Sequence, residues 1–530
     1  MDTHAATLAD TRPRISPWVI AMTVMLATFM EVLDTSVANV ALPHIAGNLS
    51  STVDETTWVL TSYLVANAVI LPMNGWFNSL MGRKNFYLTC VTVFTVASFL
   101  CGMAPSLGWL IFFRIMQGLG GGGLQPTAQA IIVESFPHEK QGAAMAFYGI
   151  GVVFAPIIGP VLGGWLTDNY SWHWIFLINI PVGILAFTMV TALIHDPPYL
   201  KRMKKGEGKE IDYVGFGLIA LGLGSLEIVM DEGQRHDWFA SSFILFFAAV
   251  AVVAVVVMIF YELNHEHPVV NLRLLKNKSF ATSSVMLFTL GFVLYGSTFT
   301  IPLFLQTMLG YDATLAGMVL SPGGLVILVS MPIIGQLVRK VDTRYLIAYG
   351  LAMTGIGLFM MSRFSLDTGF HNAVLARCVQ CMGLAALFIP INVSAYVGLP
   401  KEQINQASGL LNLFRNLGGS VGIAILSTIL ARRSQFHQSR LVENMVPGNP
   451  AYDGFVAKAQ AALQAHGMSA VDAAHAATGS VYGKLVQQAS LLGMMDTFWV
   501  AAMICACILP LVFLMKRPAP PPKGEALHVE

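Results

Sequence analysis

The sequence predicts an all-helical membrane protein of fourteen transmembrane spans, arranged as six, two and six. Three observations lead there. Of 530 residues, 55% are hydrophobic and only 11% charged, with mean hydropathy +0.65, whereas soluble domains carry about 25% charged residues. Apolar runs of about 20 residues, enough to cross a bilayer as a helix, recur fourteen times. Paired motifs also repeat at a spacing of roughly 260 residues.

The chain opens on a polar segment, 1–16, with Arg12 and Arg14 just before the first run. That run is too long for a signal-peptide core and has no convincing cleavage site, so it reads as an uncleaved first helix. Spans then follow at 17–42, 57–78, 86–104, 107–133, 142–165, 172–194, 212–231, 239–262, 281–306, 312–338, 344–363, 370–397, 405–431 and 491–515. Basic residues fall in alternate loops: Arg83 and Lys84; Lys140; Lys201, Arg202, Lys204, Lys205 and Lys209; Arg273, Lys276 and Lys278; Arg339, Lys340 and Arg344; Lys401; Lys516 and Arg517. The short opposite loops hold almost none, Arg235 and Arg363 excepted. The positive-inside rule therefore puts both termini in the cytoplasm.

One outside segment is long, 432–490. It is rich in alanine and glutamine, and Ala459 to Ala465 and Val471 to Ala477 suit two short helices over the outer mouth, with an irregular loop as the alternative. It is the one candidate region for docking a partner outside the membrane. The tail, 516–530, is proline-rich without a motif. All six cysteines lie in apolar runs, which gives no disulfide framework. Cys378 and Cys381 form a C-x-x-C inside an apolar helix, where coincidence is a better reading than a metal or redox site.

The repeat fixes the domain plan. Leu71-Pro72-x-x-Gly75 returns as Met331-Pro332-x-x-Gly335, Arg114-x-x-Gln117-x-x-Gly120 as Arg377-x-x-Gln380-x-x-Gly383, and Pro126 and Pro137 as Pro390 and Pro400. The halves are 17–194 and 281–515, separated by a basic loop and two inserted helices within 195–280. Parallel six-helix repeats around a midplane site are the major facilitator architecture.

Within this apolar background, Phe29 to Pro43 carries two acids, Glu31 and Asp34. A charge at membrane depth costs about 2.5 to 3.5 kcal/mol on insertion scales, so it faces a bundle interior or a water-filled path. Three residues apart, the two share one helix face. Asp34 lies eight residues from the outer end of its span and Arg114 seven from the outer end of the fourth, so they sit at similar depth and can pair. Either the trio couples protons to transport, with distinct proton affinities for the two acids, or the pair is a static tie between helices.

The fifth span repeats small residues and prolines: Gly149, Gly151, Pro156, Gly159, Pro160, Gly163 and Gly164. Such a helix packs closely and bends. Gly120 to Gly123 is no phosphate loop, because it lies inside a span and no G-K-[ST] follows. With no nucleotide motif, transport runs on an ion gradient and no cofactor. No nucleophile, base or metal-ligand constellation supports an enzyme. Candidate pocket residues, chosen as aromatic or polar groups on inner faces, are Phe29, Trp58, Tyr63, Asn67, Gln125, Phe154, Tyr295, Phe299, Gln306, Asn392, Asn412 and Arg415. Arg415, in mid-span, points to an anionic substrate or to an internal acid.

Leu33 to Pro43, Arg114-x-x-Gln117-Gly118, the Gly149 to Gly164 run and Trp172 to Pro181 (WHWIFLINIP) together resemble the signature set of the fourteen-helix drug:proton antiporters of the EmrB type. The resemblance covers nearly the whole chain. It implies proton-driven export of lipophilic compounds from a bacterial inner membrane, with the Gly-Pro helix as antiporter motif. It also implies a periplasmic adaptor of the EmrA kind and an outer-membrane channel of the TolC kind. Gly75, Gly82, Arg83 and Lys84 match the family's gating loop, G-x-L-x-D-R-x-G-R-K, but Ser79 stands for its acid and Leu80 for its base. The latch that the acid helps to make is therefore weakened or made otherwise. His173 stands where arginine is common, at the outer edge, as a pH-sensing or a structural group. Two other functions remain open: an exporter dedicated to a fatty acid or secondary metabolite, and a non-transporting sensor or scaffold, which Ser79 favours and the intact Arg114 and Gly-Pro set oppose.

Overall fold

The computed structural model describes residues 16–196, 212–265 and 268–514. Arg12 and Arg14, the Lys201 to Lys209 cluster, and Lys516 and Arg517 with the proline-rich tail lie outside the described residues. Among these, the chain forms eighteen α-helices, a few 3-10 turns and no strand. The first half holds α1 (Pro17–Asn48), α2 (Val53–Thr56), α3 (Trp58–Met81), α4 (Arg83–Cys101), α5 (Leu107–Gly121), α6 (Leu124–Ser135), α7 (His138–Asn169), α8 (Trp174–Leu177) and α9 (Asn179–Leu193). Then come α10 (Tyr213–Glu232) and α11 (Ser242–Asn264). The remainder is α12 (Lys278–Thr307), α13 (Ala313–Leu337), α14 (Thr343–Met361), α15 (Phe370–Ala395), α16 (Ile404–Val442), α17 (Pro450–Ala465) and α18 (Ala470–Ile508).

Every predicted span falls on a helix, yet length and apolarity alone single out eleven of the described helices as membrane-crossing, or twelve with the bent α7. The expected count of fourteen is not reached by that measure. Helix α3 is too polar, with Asn67, Asn74 and Asn78 all buried, and the predicted span 107–133 is two helices, α5 and α6. The break falls at Gly122 and Gly123, whose bare faces lie against Ile70 and Asn67 of α3 and against Phe86 and Cys90 of α4.

Helix α7 bends by 43° between its two prolines. Pro160 has no N–H for the carbonyl of Pro156, one turn back, and Ser36 Oγ of α1 donates to that oxygen at 3.1 Å. A neighbouring helix thus satisfies the freed backbone group, as a bilayer interior requires.

The two halves meet along α7 and α13, and along α3 and α16. At the end of the basic loops, the backbones of Gly142 and Gly335 touch, and Gly75 lies against Gln406. The inserted α10 packs against α11 and bridges α3 and α16, so it covers this second seam.

The segment 432–490 corrects the sequence reading. It is not two short helices over the mouth. Val471 to Ala477 is the start of α18, continuous with the last span, and α16 runs on to Val442, leaving α17 as the single short helix. With 39 residues each, α16 and α18 are about 58 Å long at 1.5 Å per residue, against a hydrocarbon core of about 30 Å. Arg433 and His437 of α16 clamp Asp496 of α18, at 2.5 and 2.8 Å.

Candidate functional site

Glu31 and Asp34 share one face of α1 but belong to two separate networks. Asp34 is 2% exposed and Arg114 fully buried. Arg114 Nη1 donates to Asp34 Oδ2 at 2.6 Å, and Gln117 Nε2 and Asn179 Nδ2 donate to Oδ1 at 2.9 and 2.7 Å. Gln117 stands three residues after Arg114 on α5, where helical spacing brings its Oε1 within 2.7 Å of the same Nη1. The guanidinium also donates to Val59 O at 2.9 Å and lies 4.3 Å from the Tyr63 ring centre. Removing either partner of such a pair leaves a buried charge unopposed.

Glu31 accepts from Tyr63 Oη at 2.9 Å, Asn67 Nδ2 at 3.2 Å and Gln125 Nε2 at 2.5 Å. Gln125 in turn accepts from Arg415 Nη2 on α16. The chain Glu31, Gln125, Arg415 therefore links the two halves at the centre of the protein. Arg415 thus meets the Gln125 amide, with the Glu31 carboxylate on the far side of that amide.

A cavity of about 190 Å³ begins at Glu31 and runs outward past Thr35, Ser36 and Asn39. It gathers Glu31, Tyr63, Asn67, Arg114, Gln125, Pro156, Tyr295 and Phe299 from the sequence candidates. Asp34 lies behind Arg114, off its wall, and Arg415 reaches it only through Gln125. Phe29, Trp58, Phe154, Gln306, Asn392 and Asn412 do not line it. Phe29 is two residues from Glu31, hence on the far side of α1, against a separate apolar cluster. Gln306 is exposed near the end of α12, and Trp58 and Phe154 are half-buried elsewhere. Asn392 and Asn412 are buried on the opposite side of the centre, both bonded to Gln129.

Three features escaped the sequence reading. Gln117 and Asn179 sit inside quoted motifs, but their aim at Asp34 is set by how α5 and α9 pack on α1. Glu227 of α10 lines the cavity. The cost of an intramembrane charge, applied to span 212–231, is the signal that would have found it.

The second half repeats the motif without the acid. Arg377 Nη1 donates to Gln380 Oε1 at 2.7 Å, but no carboxylate pairs with Arg377 among the described residues. Antiporter-motif glycines serve packing: Gly159 lies against Ser36 and Gly163 against Val37 of α1, and Gly149 against Met331 and Phe388. At the gating loop, Gly82 has φ +83° between α3 and α4, a backbone suited to glycine. Arg83 makes a two-pronged pair with Glu134 of α6, at 2.7 and 2.8 Å, while Ser79 only bonds Trp76 O. The Lys84 backbone N–H donates to Asp196. The acid that pairs with Arg83 at this loop is therefore Glu134 of α6.

The model of the Major Facilitator Superfamily matches residues 24–423. The chain belongs to the Major Facilitator Superfamily. It is 35% identical over 503 residues to the multidrug export protein EmrB of Escherichia coli (strain K12), covering 94% of this chain and 95% of that one. It is also 35% identical over 506 residues to the fatty acid resistance protein FarB of Neisseria gonorrhoeae, covering 94% and 96%. Among solved structures, the human organic anion transporter MFSD10 has the same superfamily fold with TM-score 0.62 at 11% identity, over 94% of this chain and 100% of that one. The proton:xylose symporter XylE follows at 0.58 and 12%, over 93% and 96%. As an EmrB-like superfamily member with this many apolar helices, the chain is a multi-pass inner-membrane transporter and not an enzyme.

Proposed function

We propose that this protein exports lipophilic drugs and toxic compounds in exchange for protons, as the transporter subunit of a tripartite pump. The observation that carries the reading is the division of labour between two buried acids. Glu31 stands on the cavity wall and is bridged by Gln125 to Arg415, while Asp34 is locked behind Arg114. A proton arriving from the outer side neutralises Glu31 and weakens its bridge to the second half. Passed to Asp34, it releases Arg114, and the balance between outward- and inward-open states shifts. Substrate in the cavity competes with the proton. The bent α7, packed on α1 and α13, is the hinge between the six-helix halves 17–194 and 281–515.

The long outer extensions of α16 and α18 suit a pump that hands its substrate onward, to an EmrA-like periplasmic adaptor and a TolC-like outer-membrane channel. Export of a fatty acid is a second reading, favoured by the similarity to FarB. The cavity speaks against a carboxylate, because it presents Glu31 and Glu227 and the one cation that lines it among the described residues, Arg114, is already paired.

The test is dye efflux from proteoliposomes under an imposed pH gradient, comparing wild type with Asp34→Asn and Glu31→Gln. Gradient-driven efflux that disappears in Asp34→Asn is expected. Full efflux in that variant would overturn the coupling role.

A further inference from the structure

The inserted helix pair brings to the cavity a group that the six-helix repeat does not supply. Glu227 of α10 is 3% exposed, and Ser420 Oγ of α16 donates to its Oε1 at 2.5 Å. Its Oε2 accepts from no donor, and no basic side chain pairs with it, among the described residues. Asn416, one turn before Ser420 and on the same cavity wall, has its Oδ1 buried without a donor. Tyr295 and Phe299 face the same space.

Acceptors without donors, set beside aromatic rings, match one ligand chemistry. An organic ammonium donates its N–H groups to the carboxylate and amide oxygens and places its charge over the rings. An anionic ligand would meet the Glu227 carboxylate with nothing to offset it. Glu31, by contrast, already has Arg415 behind Gln125. We propose that Glu227 is the cation-recognising group of the cavity and that it selects lipophilic organic cations, which is what α10 contributes to transport. The proposal rests on the cavity being the substrate site.

The opposing account is that Glu227 and Ser420 only tie α10 to α16. Full-length protein in nanodiscs, titrated with the cation ethidium and the anion anilinonaphthalene sulfonate against empty nanodiscs, separates the two. Glu227→Gln is expected to raise the ethidium Kd about tenfold or more and to leave the anion within about twofold, while Glu227→Asp keeps most of the cation affinity. On wild type, ethidium should slow modification of Glu227 by dicyclohexylcarbodiimide, read by peptide mass spectrometry, which decides the matter even if Glu227→Gln does not fold. Equal effects on both dyes, no effect on either, no ethidium binding by wild type, or unchanged labelling each overturn the assignment. Selective ethidium binding without gradient-driven movement of either dye would instead remove the export reading and leave Glu227 as a cation site.

Discussion

Asp34 is held by three donors from two other helices, whereas Glu31 is held by neutral groups on a cavity wall. Their substitutions should therefore differ. Asp34→Asn leaves the Arg114 charge buried and unopposed, and should lower stability by about 3 to 5 kcal/mol, seen as a clear drop in the thermal midpoint in detergent. Glu31→Gln keeps shape and most acceptors and should cost about 1 to 2 kcal/mol. Equal losses would mean that the two acids share one network. His173 offers a test in pH. Burial beside the Trp172 ring, 3.8 Å away, holds its pKa below the usual 6.5. The unfolded chain therefore takes up the proton first, and stability should be full above about pH 6.5 and decline as pH falls through the folded pKa. The contribution is small, since the ring is partly in solvent. A His173→Asn variant should flatten that part of a melting-temperature profile between about pH 5 and 7.

Helix α7 is built to lie close to α1, and its glycines are not equivalent. A methyl group on Gly163 would sit 2.9 Å from Val37 Cγ1 and 3.0 Å from its carbonyl oxygen, whereas one on Gly164 meets only Val40 Cγ1 at 3.9 Å. Gly163→Ala should cost about 1 to 3 kcal/mol through overpacking, and Gly164→Ala should stay within about 0.5 kcal/mol. Paired thermal denaturation curves check this; matching curves would show that α7 is free to shift from α1. Helix α10 is tied to both sides of the seam it covers, by Thr57 just before α3 and Thr61 within it to Glu232, and by Ser420 of α16 to Glu227.

The whole molecule is closed on the side of the basic loops and hollow toward the other. Closure rests on glycine contacts, Gly142 with Gly335 and Gly75 with Gln406, and on the asparagine and glutamine network around Gln129. A Cβ at 142 would sit 2.6 Å from the Gly335 backbone oxygen, and one at 335 would sit 2.8 Å from that of Gly142, so Gly142→Val should force the two helices apart at a cost of about 1 to 3 kcal/mol and lower gradient-driven dye efflux. Full efflux in Gly142→Val would show that this closure is not part of the cycle.

The sequence by itself determined the helical class, a helix beneath each apolar run though not fourteen membrane-crossing helices, and the pairing of Asp34 with Arg114. These follow from local hydropathy and from the cost of a charge in a bilayer, which leaves so few placements that depth alone finds the partner. It also marked Tyr63, Asn67, Gln125 and Tyr295 as pocket residues. Only the tertiary structure decided which half of the candidates face the cavity, because a rotation of 200° separates Phe29 from Glu31 on one helix turn and cannot be read from polarity. It alone placed Arg415 on Gln125, Arg83 on Glu134, and most of the segment after Arg432 on extensions of the flanking helices. Each of these depends on how helices distant in sequence are rotated and stacked against one another, a property of packing between elements and not of any one of them.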